Sequence, residues 1–169
     1  SYNKYIELYN GTGVDIDLSN YCLKLFINGQ STPYRVNVLN GILAADSVIV
    51  YSNTNATFYL GDTTIASAVN FSGNDAILLL DTLAGDTVDI FGQIGCDPES
   101  EWTATGGYST QATTLIRKAN VCQGVTSNPT GICGVGSFPT LGTEWNVRPQ
   151  NFVDSLGRHF MNCAEALPE

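Results

Sequence analysis

The residues best able to do chemistry here are carboxylates: the 169-residue chain carries sixteen acidic side chains, seven basic ones and a single histidine. The densest acidic group is Asp97, Glu99 and Glu101, alternating along an irregular stretch that holds Gly95 and Pro98. Calcium takes about six to eight oxygens and suits loops that combine acids with backbone carbonyls, so these three are the candidate calcium ligands. Their spacing is not that of an EF-hand, and the competing reading is a solvated loop in which Asp97 shapes an Asp-Pro turn. Glu7, Asp15 and Asp17 would form a second acidic group if the first two strand patterns paired. A glycosidase needs two carboxylates at a set separation across a cleft, and nothing in the order of these acids singles out a pair.

The lone His159 precedes Cys163 at a helical spacing. A thiol–imidazole pair needs hydrogen-bond reach and a third group to orient the base. A chain terminus is a poor place to hold that geometry, so His159 reads as structural closure and no catalytic residue is assigned. Trp102 and Trp145 each follow a glutamate. They read as core residues with the indole N–H bonded, against the alternative of an aromatic platform for sugars or partners. Arg117 follows an apolar run and is expected to make a bidentate pair with a carboxylate inside the fold.

Cys22, Cys96, Cys122, Cys133 and Cys163 make an odd count. Cys22 sits in a strand pattern and reads as a small buried apolar residue. Cys122 and Cys133 flank a Gly-, Pro- and Asn-bearing segment and are the candidate disulfide, which would need an oxidising compartment. No zinc spacing is present. A net charge of −9 works against sequence-independent nucleic-acid binding, which rests on Lys and Arg neutralising phosphates. No apolar run approaches the roughly 20 residues of a membrane-spanning helix. Ser1 stands a few residues before the first strand pattern, as expected of a processed or excised chain.

The elements that must position these groups are strands. Residues 5–9 alternate, with Ile6 and Leu8 opposed to Tyr5, Glu7 and Tyr9. Asn10-Gly11-Thr12-Gly13 is turn chemistry, and residues 14–18 and 21–27 continue the pattern. Further strands are expected at residues 34–38, at 47–51 as a strand buried on both faces, at 113–117 and at 144–147. An apolar run over 65–71 leads into a turn at 72–75, and residues 75–80 and 87–91 form a hairpin around Ala84-Gly85-Asp86. Residues 92–107 and 119–142 read as long irregular loops, and 161–169 as a tail or linker. Short strands at such intervals fit an all-β sandwich.

Several of these stretches, in order, resemble the lamin-tail domain in its bacterial secreted form. The opening Ile6-Glu7-Leu8-Tyr9-Asn10, the turn, and Asp17-Leu18-Ser19 are similar to that family's first segment. Val69 through Ala76, Thr87 through Gly95, Asp97-Pro98, Glu101-Trp102, Leu115-Ile116-Arg117, Glu144-Trp145 and Phe152 through His159 follow in the same order. The resemblance covers about residues 4–160 and implies an immunoglobulin-like sandwich, here without the upstream edge strand usual in the family. It also implies a non-catalytic module of the kind attached to secreted nucleases, cell-wall proteins and surface proteins. The domain boundaries so expected are 1–160, with 161–169 beyond.

The expected function is an interaction or targeting module of an extracellular, cell-surface or periplasmic bacterial protein. Its partner would be protein or polysaccharide before nucleic acid, together with neighbouring domains of its parent. The alternatives are a hydrolase with an unrecognised carboxylate or metal site, which would show a cleft of perturbed acids, and a purely architectural spacer.

Overall fold

The computed structural model describes residues 1–64 and 69–163, and the chain is nearly all β. In order, the strands are β1 (Tyr5–Tyr9), β2 (Ile16–Asp17), β3 (Tyr21–Phe26), β4 (Arg35–Val38), β5 (Ile42–Leu43), β6 (Val48–Ser52) and β7 (Thr63–Thr64). They continue as β8 (Ala76–Asp81), β9 (Thr87–Phe91), β10 (Thr103–Ala104), β11 (Tyr108–Ser109), β12 (Thr113–Arg117) and β13 (Trp145–Pro149). A single helical turn, α1 (Leu141–Glu144), precedes β13. The run expected at residues 65–71 lies partly outside the described residues.

The middle layer is an antiparallel sheet in the order β4-β3-β8-β9. β3 buries Cys22, Leu23, Leu25 and Phe26, side chains from both of its faces, so it needs a covering layer on each side. On one face Leu23, Ile77 and Leu79 pack with Ile6, Leu8, Ile49 and Tyr51 of the β1-β6-β7 sheet. The β2-β5 ribbon closes that layer with Ile16 and Leu43. On the other face Phe26, Ala76, Leu78 and Ile90 meet Trp102, Phe138 and Leu141 from the C-terminal half. Each of these large side chains contributes roughly 1.5–3 kcal/mol by leaving water. Gly92 follows β9 at φ +84°, and a Cβ there would stand 2.7 Å from the Trp102 ring. Only glycine fits both that backbone and that approach.

The consecutive strands at the start do not pair with one another, contrary to the simplest reading of their pattern. β1 pairs with β6, and β2 with β5. The cause is Asn10, which is buried. Its carboxamide donates to the carbonyls of Val14 (2.7 Å), Leu43 (2.9 Å) and Ala44 (3.1 Å), and its backbone bonds Ser47 and Asp46. These bonds tie the turn to the 43–47 loop and carry the chain from one layer to the other. The loop at 92–107 also holds a small hairpin, β10–β11, and β13 is preceded by the α1 turn, neither of which the residue pattern announces.

The disulfide expected between Cys122 and Cys133 does not form. Cys96 bonds Cys133 and Cys122 bonds Cys163, with Cα–Cα distances of 5.2 and 6.0 Å, and Cys22 stays free and buried. Cys96 lies deep beside Trp102, where Ser137 Oγ accepts from the indole Nε1 at 3.1 Å and lies 3.2 Å from Cys96 Sγ. The 131–137 loop is thereby drawn onto the core and takes Cys133 away from Cys122. Residues 161–163, assigned to a tail, are held to the body: Asn162 N–H donates to Ala119 O at 2.7 Å and Cys163 carries the second bridge. Residues 164–169 lie outside the described residues.

Under denaturing, non-reducing conditions the chain is expected to show one reactive thiol, at Cys22, and native digestion should yield linked peptides 96–133 and 122–163. Five thiols, or a 122–133 linkage, would refute this arrangement.

Candidate interaction surface

The acids singled out as calcium ligands are not brought together. Asp97 Oδ1 accepts from Glu99 N–H at 2.9 Å and from Asn74 Nδ2 at 3.2 Å. Asn74 Nδ2 also points at Glu99 O (3.1 Å) and Asn28 Oδ1 (3.3 Å). Asp97 Oδ1 and the Glu99 carbonyl therefore face a buried amide and not a cation position. Glu99 is exposed and Glu101 accepts from the Ser109 hydroxyl. Among the described residues no three acidic, histidine or cysteine groups gather as a metal site.

The buried acid of this region is Asp75, hidden from sequence reasoning inside the Asn-Asp turn. It accepts from Ser72 N–H (2.6 Å) and Asn28 N–H (3.2 Å). Burial pushes its carboxyl above the usual range; the two N–H groups and Lys4 pull the other way, while the charge of Asp97 pushes further up.

The second acidic group is also dispersed, because β1 and β2 lie apart. Asp15 accepts from Ala45 N–H (3.0 Å), Asp17 from Ser19 N–H (2.9 Å), and Glu7 from Gly157 N–H (2.7 Å). Glu7 is part of a covered face. Tyr5, Glu7 and Tyr9 project outward from β1, yet the chain's own C-terminal arm crosses them. From that arm, His159 meets the Tyr9 ring edge-on at 5.0 Å and Met161 lies over Gly11, while Tyr5 is covered by Tyr59 of the segment after β6, at 6.0 Å. His159 is thus a packing residue whose pKa is lowered, first by burial and then by the charge of Arg117. Cys163 is consumed by its disulfide.

Arg117 makes its bidentate pair with Asp89, which also accepts from Val125 N–H at 2.8 Å. It approaches Glu144 at 3.4 Å and stacks on Trp145, 4.6 Å from the ring centre. This cluster seals the β9 edge of the middle sheet against β12–β13. Trp102 is fully buried, while Trp145 is half-buried against Phe91 with an indole N–H that makes no hydrogen bond. Neither ring is presented as a platform.

Two clefts among the described residues bear on the question of a site. One, of about 150 Å³, lies between layers beside the Asn10 turn and is lined mainly by Leu8, Ile16, Leu18, Leu43, Leu79 and Val88. The other is a shallow polar groove of Asp46, Ser47, Val48, Gly157, Arg158 and His159. Neither brings two carboxylates face to face.

An exposed apolar ladder lies on β4. Val36 and Val38 are 51% and 66% exposed, with Tyr34 beside them at 46%. The C-terminal half covers the same face of β3, β8 and β9 but stops short of β4. Leu39 N–H donates to Tyr21 O at 2.9 Å, and the register sets Cys22 opposite Val38 and Lys24 opposite Val36. In an antiparallel ladder hydrogen-bonded pairs alternate with pairs whose backbone groups turn away. The N–H and C=O of Val36 and Val38 therefore point out of the sheet. Arg35 lies across the Tyr34 ring, 3.9 Å from its centre, donating to Tyr34 O (2.9 Å) and Tyr34 Oη (3.1 Å). β4 is thus an open, apolar edge, of a kind that proteins otherwise blunt or cover. Its strand pattern was legible; its exposure was not.

No family model matches the sequence, and neither does any curated protein.

Replacing Arg117 with Met is expected to cost about 2 kcal/mol in urea unfolding. This is less than the 3–5 kcal/mol of a fully buried pair, because both partners keep some solvent contact. Adding Asp89→Asn should recover part of that loss, since the Asp89 carboxylate then no longer stands unpaired and only Glu144 has lost its cation; additive losses would contradict the pairing.

Glu7 is raised above its ordinary pKa, chiefly by burial, with the Gly157 and Arg158 N–H groups opposing. The folded state then holds the proton more tightly than the unfolded state, so stability rises as pH falls toward the unfolded pKa of about 4.3. The stability difference between wild type and Glu7→Gln should therefore shift in favour of wild type as pH falls from 7 to about 4. A constant difference would show that Glu7 is not so perturbed.

Proposed function

We propose that this chain is a non-catalytic interaction module that binds an extended protein segment along the β4 edge and holds a neighbouring domain near its target. The observation that carries the reading is the open edge itself: outward backbone groups on the two residues, Val36 and Val38, whose side chains are also exposed. Main-chain pairing supplies affinity in such recognition, and side-chain contacts on alternate positions supply selectivity. A spacer has no use for an uncovered apolar strand, so the edge favours binding over pure architecture. Tethering raises the local concentration of whatever is attached.

The ordered likeness to the lamin-tail domain supports the same reading and extends it to an immunoglobulin-like module of a bacterial secreted or surface protein. Two disulfides agree with an oxidising, extracellular setting. Among the described residues no helix is long and apolar enough to cross a membrane. The acidity of the chain ranks protein above polysaccharide and both above nucleic acid.

The test is binding of the full chain to three labelled probes at low salt: extended peptides of about eight residues, a neutral oligosaccharide and duplex DNA. Peptide binding is expected, and Val36→Lys/Val38→Lys should abolish it with unfolding unchanged. Binding of DNA or oligosaccharide that ignores this substitution would overturn the reading.

A further inference from the structure

The β4 edge carries a charge opposite to that of the rest of the molecule. Residues 18–45 include Lys24 and Arg35 and not one Asp or Glu, a formal charge of +2. The remaining residues hold five basic against sixteen acidic side chains, a formal charge of −11. Lys24 stands opposite Val36 on the adjoining strand, and Arg35 begins β4. Arg35 spends only two of its five N–H groups, both on Tyr34, and its guanidinium is at the surface.

From this juxtaposition we propose that the occupant of the edge is an acidic extended segment that adds as an antiparallel strand to β4. The inference rests on the edge-binding reading and specifies its partner. Four main-chain hydrogen bonds form, from and to Val36 and Val38. Apolar side chains of the incoming strand lie on the face shared by Val36 and Val38, and their neighbours in sequence are Asp or Glu drawn by Arg35 on the opposite face, while Lys24, on the valine face one strand away, adds to the positive field. Opposite charges across a ladder stabilise it and like charges destabilise it.

The same reasoning counts against a second copy of this chain as the occupant. A two-fold axis through Asn37 would pair Val36 with Val38 of the other copy, but it would set Arg35 opposite Leu39, and residues 18–45 of that copy hold no carboxylate to meet Arg35 or Lys24. The other free edge of the middle sheet, β9, is taken by Arg117 and Val125 on Asp89. β4 is thus the edge of that sheet left for a partner.

The experiment uses the full, oxidised chain and fluorescence anisotropy with synthetic peptides of about six residues. One alternates Val and Glu, a second alternates Val and Lys, and a third is the acidic peptide N-methylated at the amides that would face β4. The acidic peptide should bind, with affinity falling as salt rises. The Lys peptide should be at least about tenfold weaker. N-methylation should abolish binding, as should Val36→Pro/Val38→Pro, which removes the outward N–H groups without adding charge, while Arg35→Glu should reverse the charge preference. Equal binding of the acidic and basic peptides would overturn the acidic assignment and leave the edge reading standing. Binding that survives N-methylation and the valine substitutions would overturn both, as would failure of every peptide to bind. A dimer in sedimentation that Val36→Lys dissociates would identify a second copy as the occupant and overturn the proposal.

Discussion

The architecture depends on one constraint: the β3–β8 strand pair is buried on both faces. A sheet exposed on one side is satisfied by a single partner layer; this one is not. Leu23, Ile77 and Leu79 require the β1-β6-β7 layer, and Phe26, Ala76 and Leu78 require something of equal area on the opposite side. The C-terminal half supplies it with little regular structure, through Trp102, Phe138 and Leu141. A loop-rich layer has few ladder hydrogen bonds to hold it in place. The work falls instead to side chains: the Cys96–Cys133 bridge, Ser137 under the Trp102 indole, and the Arg117–Asp89 pair at the sheet edge.

The chain's own segments decide which surfaces remain free. The tyrosine-bearing outer face of β1 looks from its pattern like a recognition surface, yet the arm ending at Cys163 lies over it, with Gly157 N–H on Glu7 and His159 on Tyr9. Gly157 at φ +83° has room only for hydrogen beneath Tyr59, since a Cβ would fall 2.7 Å from the phenol oxygen. β4 has no such cover. Covering the β1 face and leaving β4 uncovered is what gives this sandwich an exposed apolar edge.

Much of the fold was legible in the sequence because strand alternation is local. β1, β3, β4, β6, β12 and the β8–β9 hairpin are read from residues next to one another. Pairing across the chain was not legible. That β1 joins β6 is decided by the buried Asn10 amide, whose partners Leu43 and Ala44 are remote in sequence. The cysteine connectivity failed for the same reason: flanking a turn-rich segment suggests a bridge, while the actual partners are set by which loops the core draws together. At the candidate sites, residue type indicated the role of Arg117, whereas the acidic loop was misleading. Asp97 Oδ1 and the Glu99 backbone carbonyl are taken by Asn74, a neutral side chain from another turn, and Glu101 by Ser109. On β4 the alternation marks Val36 and Val38 as sharing a face, but alternation cannot say whether anything packs against that face.

Amide hydrogen exchange resolved by residue tests the central claim most directly, because it reads each backbone N–H separately. A doubly covered β3–β8 pair predicts the slowest exchange in the molecule at residues 22–25 and 77–79, limited by global unfolding. On β4 the amides of Val36 and Val38 should exchange orders of magnitude faster than those of β3. Fast exchange across β3 and β8, or slow exchange at both valines in the free protein, would contradict the account.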